Sequence, residues 1–152
     1  MRWSLVVATV VTASAVVAGV AGAQSSNTCN TVAPSPIALK KALGAAAQSP
    51  IATTGPPTYC DVSGSGLTGA RIYLYSKSMA KTVEGQMAQA FSPHTPTKQS
   101  LSGLGSGATL EYLKGTDLVY FTAGSRFILV SGKSITHAQI VAVARAVYAK
   151  LG

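Results

Sequence analysis

Six side chains supply all the carboxylates and imidazoles of the chain: Asp61, Glu84, Glu111, Asp117, His94 and His137. A serine hydrolase needs a serine, a histidine and an acid that meet in space, yet no serine lies in a G-x-S-x-G elbow. A glycosidase needs two carboxylates, and Glu111 and Asp117 are the only pair close in sequence. If their segments form a hairpin, both lie near its open end, where charges are ordinarily solvated. We therefore expect a non-enzymatic protein, with a small hydrolase as the less favoured alternative.

Residues 1–23 have the pattern of a signal peptide. Arg2 is followed by a run of Val, Ala and Leu, and the run ends in the small-residue triplet Ala21-Gly22-Ala23. A transmembrane anchor is the alternative, because residues 5–23 are almost long enough to cross a bilayer. The small residues and the triplet favour cleavage before Gln24. We therefore expect a secreted or extracytoplasmic protein without a stable membrane span in its mature chain.

Cys29 and Cys60 are the only cysteines of the chain. An even count in an exported protein predicts one disulfide. A metal or redox site is the alternative, but the chain has no C-x-x-C motif, and neither histidine lies at ligand spacing from a cysteine. We expect a structural bridge, no metal and no cofactor.

The chain is strongly basic, with a formal charge of +8 at neutral pH. Such a protein is attracted to anionic surfaces, including phospholipid head groups and acidic polysaccharides. The charges are scattered, with Lys40-Lys41 as the densest pair, and no Arg-rich helix or zinc-finger pattern occurs. We therefore expect an anionic envelope surface or a protein as partner, and no nucleic acid.

Three glycines at alternate positions, Gly103, Gly105 and Gly107, resemble a phosphate-binding loop. A P-loop and a Rossmann loop both lie between a strand and a helix, because the phosphate sits on the helix N-terminus. Here neither motif is complete, and strand-like segments follow the glycines. They are predicted to supply positive φ angles or a close backbone crossing where the sheet begins.

The elements that position these residues start with a polar, proline-bounded segment, residues 24–34, which is predicted to be extended and to carry Cys29. A single domain follows over residues 35–152. Its first helix has Ser35 as N-cap and Pro36 in the first turn. Residues 48–59 contain three prolines and a glycine, which predicts a surface connection without a regular element.

A strand is predicted over residues 70–76, where Tyr73 and Tyr75 share one face. We expect this face to be half-buried under a helix, with ligand stacking as the alternative. Residues 77–91 have apolar side chains four apart, which predicts a helix packed on the sheet. A loop from Ser92 through Gln99 follows it.

Three short strands are predicted between residues 108 and 130, joined by tight turns. The last helix begins with a capping box, Thr136 and Gln139, and carries a buried apolar stripe. Its first residue, His137, is expected to face solvent. The order of elements predicts an α+β domain whose antiparallel sheet of four to five strands is covered by helices.

Cys29 before a helix, Cys60 at the start of a strand, the Gly103–Ala108 motif and the closing amphipathic helix together resemble small exported or lipid-anchored domains of unknown function from actinobacteria. The resemblance covers most of the chain beyond the predicted signal peptide. It implies a binding role in the envelope or outside the cell and no catalytic residues. Lipid anchoring is not carried over, because polar residues precede Cys29.

Two functions remain open at this point. The favoured one is a secreted, non-enzymatic binding or interaction domain, and the alternative is a carrier of a small apolar ligand between sheet and helices. A carrier needs a continuous apolar cavity of roughly several hundred Å³. A binding domain would be solidly packed and would expose aromatic faces, for which the candidates are Tyr73, Tyr75, Tyr112 and Tyr120.

Overall fold

The computed structural model describes residues 28–44, 51–55, 59–63, 69–113 and 115–152, with the backbone alone described for 51–55. The predicted signal peptide lies outside these ranges. Within them, three helices lie against one face of an antiparallel sheet and one helix lies against the other. The helices are α1 (Thr28–Val32), α2 (Pro36–Leu43), α3 (Ala80–Phe91) and α4 (His137–Leu151). The strands are β1 (Ile51–Gly55), β2 (Tyr59–Ser63), β3 (Gly69–Ser76), β4 (Thr97–Ser100), β5 (Ser106–Leu113), β6 (Thr116–Ala123) and β7 (Arg126–Lys133).

The seven strands form one sheet in the order β1-β2-β3-β7-β6-β5-β4, and every neighbouring pair is antiparallel. The long pairing of β3 with β7 joins the first three strands to the last four. The predicted α+β class and single antiparallel sheet are confirmed. The sheet has more strands than the four to five expected.

The additional strands, β1 and β4, lie at the two edges of the sheet. The prediction of a surface connection over residues 48–59 is wrong for β1, which ends just before Pro56. An edge strand forms backbone hydrogen bonds with a neighbouring strand on one side only, so prolines next to it do not prevent that pairing. The predicted loop through Gln99 is also wrong, because β4 occupies part of it. All four residues of β4 are exposed, so no alternation of apolar and polar side chains marks the strand in the sequence.

The extended segment predicted over residues 24–34 contains α1, so that prediction is wrong for Thr28–Val32. Cys29 and Val32 are three positions apart, which places both on the same side of one helical turn. Both side chains are buried in the core on this face of the sheet. Tertiary burial therefore imposes a helical turn on a sequence with weak helix signals.

The predicted disulfide is present between Cys29 and Cys60. It joins α1 to β2, and both cysteines are buried. The bridge closes a separation of 31 residues, which corresponds to about 3.7 kcal/mol in the chain-entropy model. The N-terminal helical turn is thereby fixed to the sheet.

The helices α2 and α4 begin as the sequence predicts. The Ser35 hydroxyl accepts a hydrogen bond from the Ala38 amide, and Pro36 is the first residue of α2. The Thr136–Gln139 capping box is complete at the start of α4. The buried stripe of α4 packs on the sheet and consists of Ile140, Val143, Ala144 and Val147.

The opposite face of the sheet is covered by α3, as the helix spacing predicts. Val83, Met87 and Phe91 form its buried side. They pack against four buried side chains of β6 and β7, which are Leu118, Tyr120, Phe127 and Leu129. This second core is smaller than the first and leaves the β2–β3 end of the face less covered.

All three glycines of the Gly103–Gly107 loop have positive φ, at 74° for Gly103, 47° for Gly105 and 68° for Gly107. A Cβ atom on Gly105 would also overlap the backbone carbonyl oxygen of Thr122, whereas a Cβ on Gly103 would meet nothing within 4 Å. The predicted backbone role is confirmed. Gly105 has a second requirement, the close crossing of β6.

Replacing Cys29 and Cys60 together with serine is expected to lower the free energy of unfolding by about 3.7 kcal/mol, because the open chain regains loop entropy. Urea titration followed by circular dichroism measures the change. Reduced wild-type protein is the control for the new hydroxyl groups. Equal stability of the oxidised protein and both open forms would contradict a stabilising role for the bridge.

Gly103→Ala and Gly105→Ala separate the two requirements on the loop. Gly103→Ala is expected to cost about 1–2 kcal/mol of stability, the penalty for a Cβ atom in the left-handed region. Gly105→Ala is expected to cost more, because the new methyl group would also displace the Thr122 carbonyl. Thermal and urea unfolding of both variants measure the costs. Equal losses of stability in the two variants would show that the backbone at Thr122 can move to accept the new methyl group without a further cost in stability.

Candidate functional site

Glu111 and Asp117, the two carboxylates closest in sequence, lie on opposite faces of the sheet. The β5–β6 register pairs Glu111 with Leu118 and Tyr112 with Asp117, and consecutive strand positions point to opposite faces. Glu111 is only 2% exposed, and its Oε2 lies 3.3 Å from the Lys98 Nζ. The expectation of a solvated charge is therefore wrong for Glu111. The two carboxylates cannot flank one substrate.

His137 begins α4 and contacts the helical side of the sheet. Its Nε2 lies 3.1 Å from the Asp117 Oδ1, and its ring centroid is 4.3 Å from that of Tyr112. The imidazole is half-exposed, as expected for a helix start that faces solvent, but it also contacts Asp117 and Tyr112. Such a pair can orient a catalytic histidine when a nucleophile lies beyond it. Among the described residues, no serine or threonine hydroxyl is hydrogen-bonded to this imidazole.

In the described ranges, no three His, Cys, Asp or Glu side chains lie close enough together to hold a metal ion. No helix in the same ranges combines the length and apolar character that a membrane crossing requires. A cluster of polar and aromatic side chains occurs instead at the β2–β3 end of the α3 face.

Asp61 of β2 and Arg71 of β3 form a two-point ion pair in this cluster. The Arg71 Nε donates to Oδ1 at 2.6 Å and its Nη2 donates to Oδ2 at 3.0 Å. The guanidinium carbon also lies 4.4 Å from the centre of the Tyr59 ring. The hydrogen bond to Asp61 raises the pKa of Arg71 above its ordinary value. The two side chains remain 38% and 32% exposed, so they form an oriented pair that solvent can reach.

Tyr59, Tyr73 and Tyr75 extend the cluster along the same face. Ring centroids are 5.8 Å apart for Tyr59 and Tyr73, and 6.2 Å apart for Tyr73 and Tyr75, whose rings are nearly parallel. Each of the three residues is partly exposed, and Tyr73 and Tyr75 pack against the α3 core. Burial raises the pKa of Tyr75 to about 12, with a smaller contribution from the adjacent Tyr73.

The other two candidate tyrosines lie elsewhere. Tyr120 is buried beneath α3, with its ring centroid 6.0 Å from that of Phe127. Tyr112 lies on the helical face, beside His137. The structure therefore brings Tyr73 and Tyr75 together and separates them from Tyr112 and Tyr120.

A groove of about 470 Å³ opens beside the ion pair, where the ends of β2, β3, β6 and β7 meet. We call it the Arg71 groove. Its lining side chains that carry hydrogen-bonding groups are Asp61, Ser63, Arg71, Tyr73, Thr116, Ser131 and Lys133. The remainder of the lining is Val62, Ala70 and three glycines, Gly69, Gly115 and Gly132.

Sequence reasoning identified Tyr73 but missed Asp61, Arg71, Ser131 and Lys133 as possible site residues. Arg71 was detectable, because it is two positions from Tyr73 and therefore shares its face of the strand. Asp61 and Ser131 were not, since they face Arg71 only through the β2–β3 and β3–β7 registers. Those registers depend on the assembled sheet.

Comparison of the chain with protein-family models, curated proteins and solved structures found no match. The resemblance to small exported actinobacterial domains stays an expectation.

Tyr75 is expected to make stability depend on pH above about 10. Below its pKa in the unfolded chain, the Tyr75 phenol is neutral in both the folded and the unfolded state, so its full contribution to folding stability is present. Above that pKa the unfolded chain loses the phenol proton first, and stability falls as pH rises towards the folded pKa of about 12. Tyr75→Phe should show a smaller loss between these values in urea titrations. An equal loss in both proteins would contradict the assignment.

Proposed function

We propose that the protein is a non-enzymatic binding domain that acts outside the cytoplasm and holds a saccharide in the Arg71 groove. The observation that carries this proposal is the lining of the groove, which combines one partly exposed aromatic ring, Tyr73, with side chains that donate hydrogen bonds and side chains that accept them. The disulfide supports an oxidising compartment.

The lining matches the chemistry of a sugar. Each sugar hydroxyl both donates and accepts hydrogen bonds, and the groove offers acceptors at Asp61, donors at Arg71 and Lys133, and hydroxyls at Ser131. A sugar ring also has an apolar face of C–H groups, for which Tyr73 provides a flat partner. An apolar ligand would leave these polar groups without partners and would bind poorly.

The ion pair prepares the groove for binding. Asp61 and the Tyr59 ring hold the Arg71 guanidinium in one orientation before any ligand arrives. A preorganised side chain loses little rotamer entropy when a ligand binds. Because the pair is close to neutral overall, hydrogen-bond geometry contributes more to recognition than net charge does.

The spacing of carboxylates supports binding over hydrolysis. Asp61 and Glu111 lie on one cross-strand row of the α3 face, four strand spacings apart. At roughly 4.8 Å per spacing, the two are about 19 Å apart. The carboxylates of glycosidases lie within about 10 Å of each other. Each Asp61 oxygen accepts one hydrogen bond from Arg71, and each keeps a lone pair with which to accept from a sugar hydroxyl.

The packing between sheet and helices supports binding over the carrier alternative. Side chains that meet there, such as Val119, Val130, Ile140 and Val143, have no accessible surface. A cavity wide enough for a ligand would leave part of its lining accessible to a sphere the size of a water molecule. The proposed ligand therefore lies on the other face of the sheet.

The proposal is tested by titrating isotope-labelled protein with soluble oligosaccharides, followed by amide NMR shifts. One arm uses acidic oligogalacturonate and the other uses neutral chito-oligosaccharides. Shifts are expected to cluster at residues 61–63, 69–73 and 131–133. Arg71→Gln and Tyr73→Ala should each weaken binding by about tenfold or more, and Lys133→Gln should weaken the acidic arm more than the neutral one.

Lys81→Gln is the matched control. It removes one positive charge from an exposed position on α3, as Arg71→Gln does in the groove, and should leave affinity unchanged. Arg71→Gln is expected to stay folded, because exposed ion pairs contribute only about 0–1 kcal/mol to stability. The NMR spectrum of each variant shows whether it is folded, so that a loss of affinity can be separated from unfolding. Shifts confined to surfaces outside the groove, or no shifts with either oligosaccharide, would refute the proposal.

A further inference from the structure

The helical side of the molecule has an unbalanced charge. The helices α1, α2 and α4 contain no aspartate or glutamate. Four cations of α2 and α4 are exposed, namely Lys40, Lys41, Arg145 and Lys150. Of the four described acids, Asp117 alone lies on the helical face, where it pairs with His137 at the start of α4. Asp61, Glu111 and Glu84 lie on the α3 side. The helical side therefore has a net positive charge.

The exposed side of α2 also carries an apolar residue. Ile37 is 82% exposed and is the only large hydrophobic residue in the described ranges that is classed as exposed. Ile37, Lys40 and Lys41 are spaced as i, i+3 and i+4, so they lie on one helix face. Ile37 falls between Pro36 and Ala38, which line a shallow groove of about 820 Å³ between the start of α2 and the end of α4.

The groove is weakly polar and has a cation at its rim. Its lining consists mainly of small side chains, including Ala33, Pro34, Ala146 and Ala149. The Lys150 Nζ donates to the Ala33 carbonyl oxygen at 2.7 Å and holds the end of α4 against the α1–α2 connection. An exposed apolar side chain, a shallow groove of small side chains and several cations therefore occur on the same helical side of the molecule.

We propose that this face, formed by α2 and the C-terminal half of α4, docks on an anionic phospholipid surface. Lysines near such a surface are attracted to its negative potential. Ile37 would lie at the boundary of head groups and acyl chains, where its exposed apolar surface leaves water.

A lipid surface fits these features better than a soluble polyanion does. A polyanion would satisfy the cations but would leave Ile37 and the small-residue groove in water. Docking through the helices also leaves the Arg71 groove on the opposite face of the sheet and free to bind. The two sites therefore work independently, and the loss of one does not imply the loss of the other.

The test is sedimentation with vesicles of phosphatidylcholine, with and without 30 mol% phosphatidylglycerol. Binding is expected only with phosphatidylglycerol and should weaken as salt rises. Lys40→Gln/Lys41→Gln should lower affinity by more than about tenfold, because each lysine contributes roughly fivefold. Ile37→Ser should lower it by about tenfold, the factor expected for one buried isoleucine.

Lys77→Gln/Lys81→Gln is the matched control, because it removes the same charge from exposed positions on the α3 side. It should bind as the wild type does, and so should Arg71→Gln. Equal losses in the two double variants would show that only net charge attracts the protein and would overturn the proposal. Equal binding to pure phosphatidylcholine, or binding to heparin without binding to vesicles, would overturn it as well. All altered lysines and Ile37 are exposed, so circular dichroism should show unchanged folds.

Discussion

Burial of α4 against the centre of the sheet is the interaction on which the rest of the molecule depends. Four side chains of this helix are completely excluded from solvent, and they meet the fully buried centres of β6 and β7. The two ends of α4 also contact the other two helices of the same layer, α1 and α2. The Gln139 side chain donates to the Leu43 carbonyl at the end of α2, and Lys150 donates to the Ala33 carbonyl after α1. The disulfide adds a covalent tie from α1 to β2. The helical layer is therefore one unit, although α1 and α2 are too short to be stable alone.

The sheet must be apolar on both faces, because helices cover each of them. The face under α4 is apolar at its centre, with Asp117 beside the start of the helix, whereas the buried apolar side chains of the α3 face lie on β6 and β7. Ion pairs lie on either side of this patch, Lys98 with Glu111 on one side and Arg71 with Asp61 on the other. The first includes a buried carboxylate, and the second remains accessible. Partial coverage by a single helix thus creates a site where polar side chains are oriented but still reach solvent.

Opposite sides of one sheet give the protein two surfaces of different chemistry. The helical side is cationic with one exposed apolar residue, while the α3 side has hydroxyls, a preformed ion pair and aromatic rings. Such a division suits a protein that rests on one surface and binds a ligand with the other. The glycine-rich loop contributes to neither surface directly, since its role is to bring β5 past β6 at a close crossing.

Local interactions explain what the sequence alone determined. The caps of α2 and α4, the start of the last helix, the packing side of α3 and the positive φ angles of the loop all depend on neighbours within a few residues. The disulfide could be predicted from the number of cysteines, because two cysteines permit one pairing.

Tertiary structure decided the remaining features. The edge strand β4 carries no apolar alternation, and the burial of Cys29 and Val32 on one side of α1 appears only in the folded chain. The partnership of Asp61, Arg71 and Ser131 depends on strand register, and a shift of one residue would turn each side chain to the other face. Register is set by the packing of the whole sheet, and for that reason Asp61 and Ser131 could not be assigned to the candidate site from the sequence.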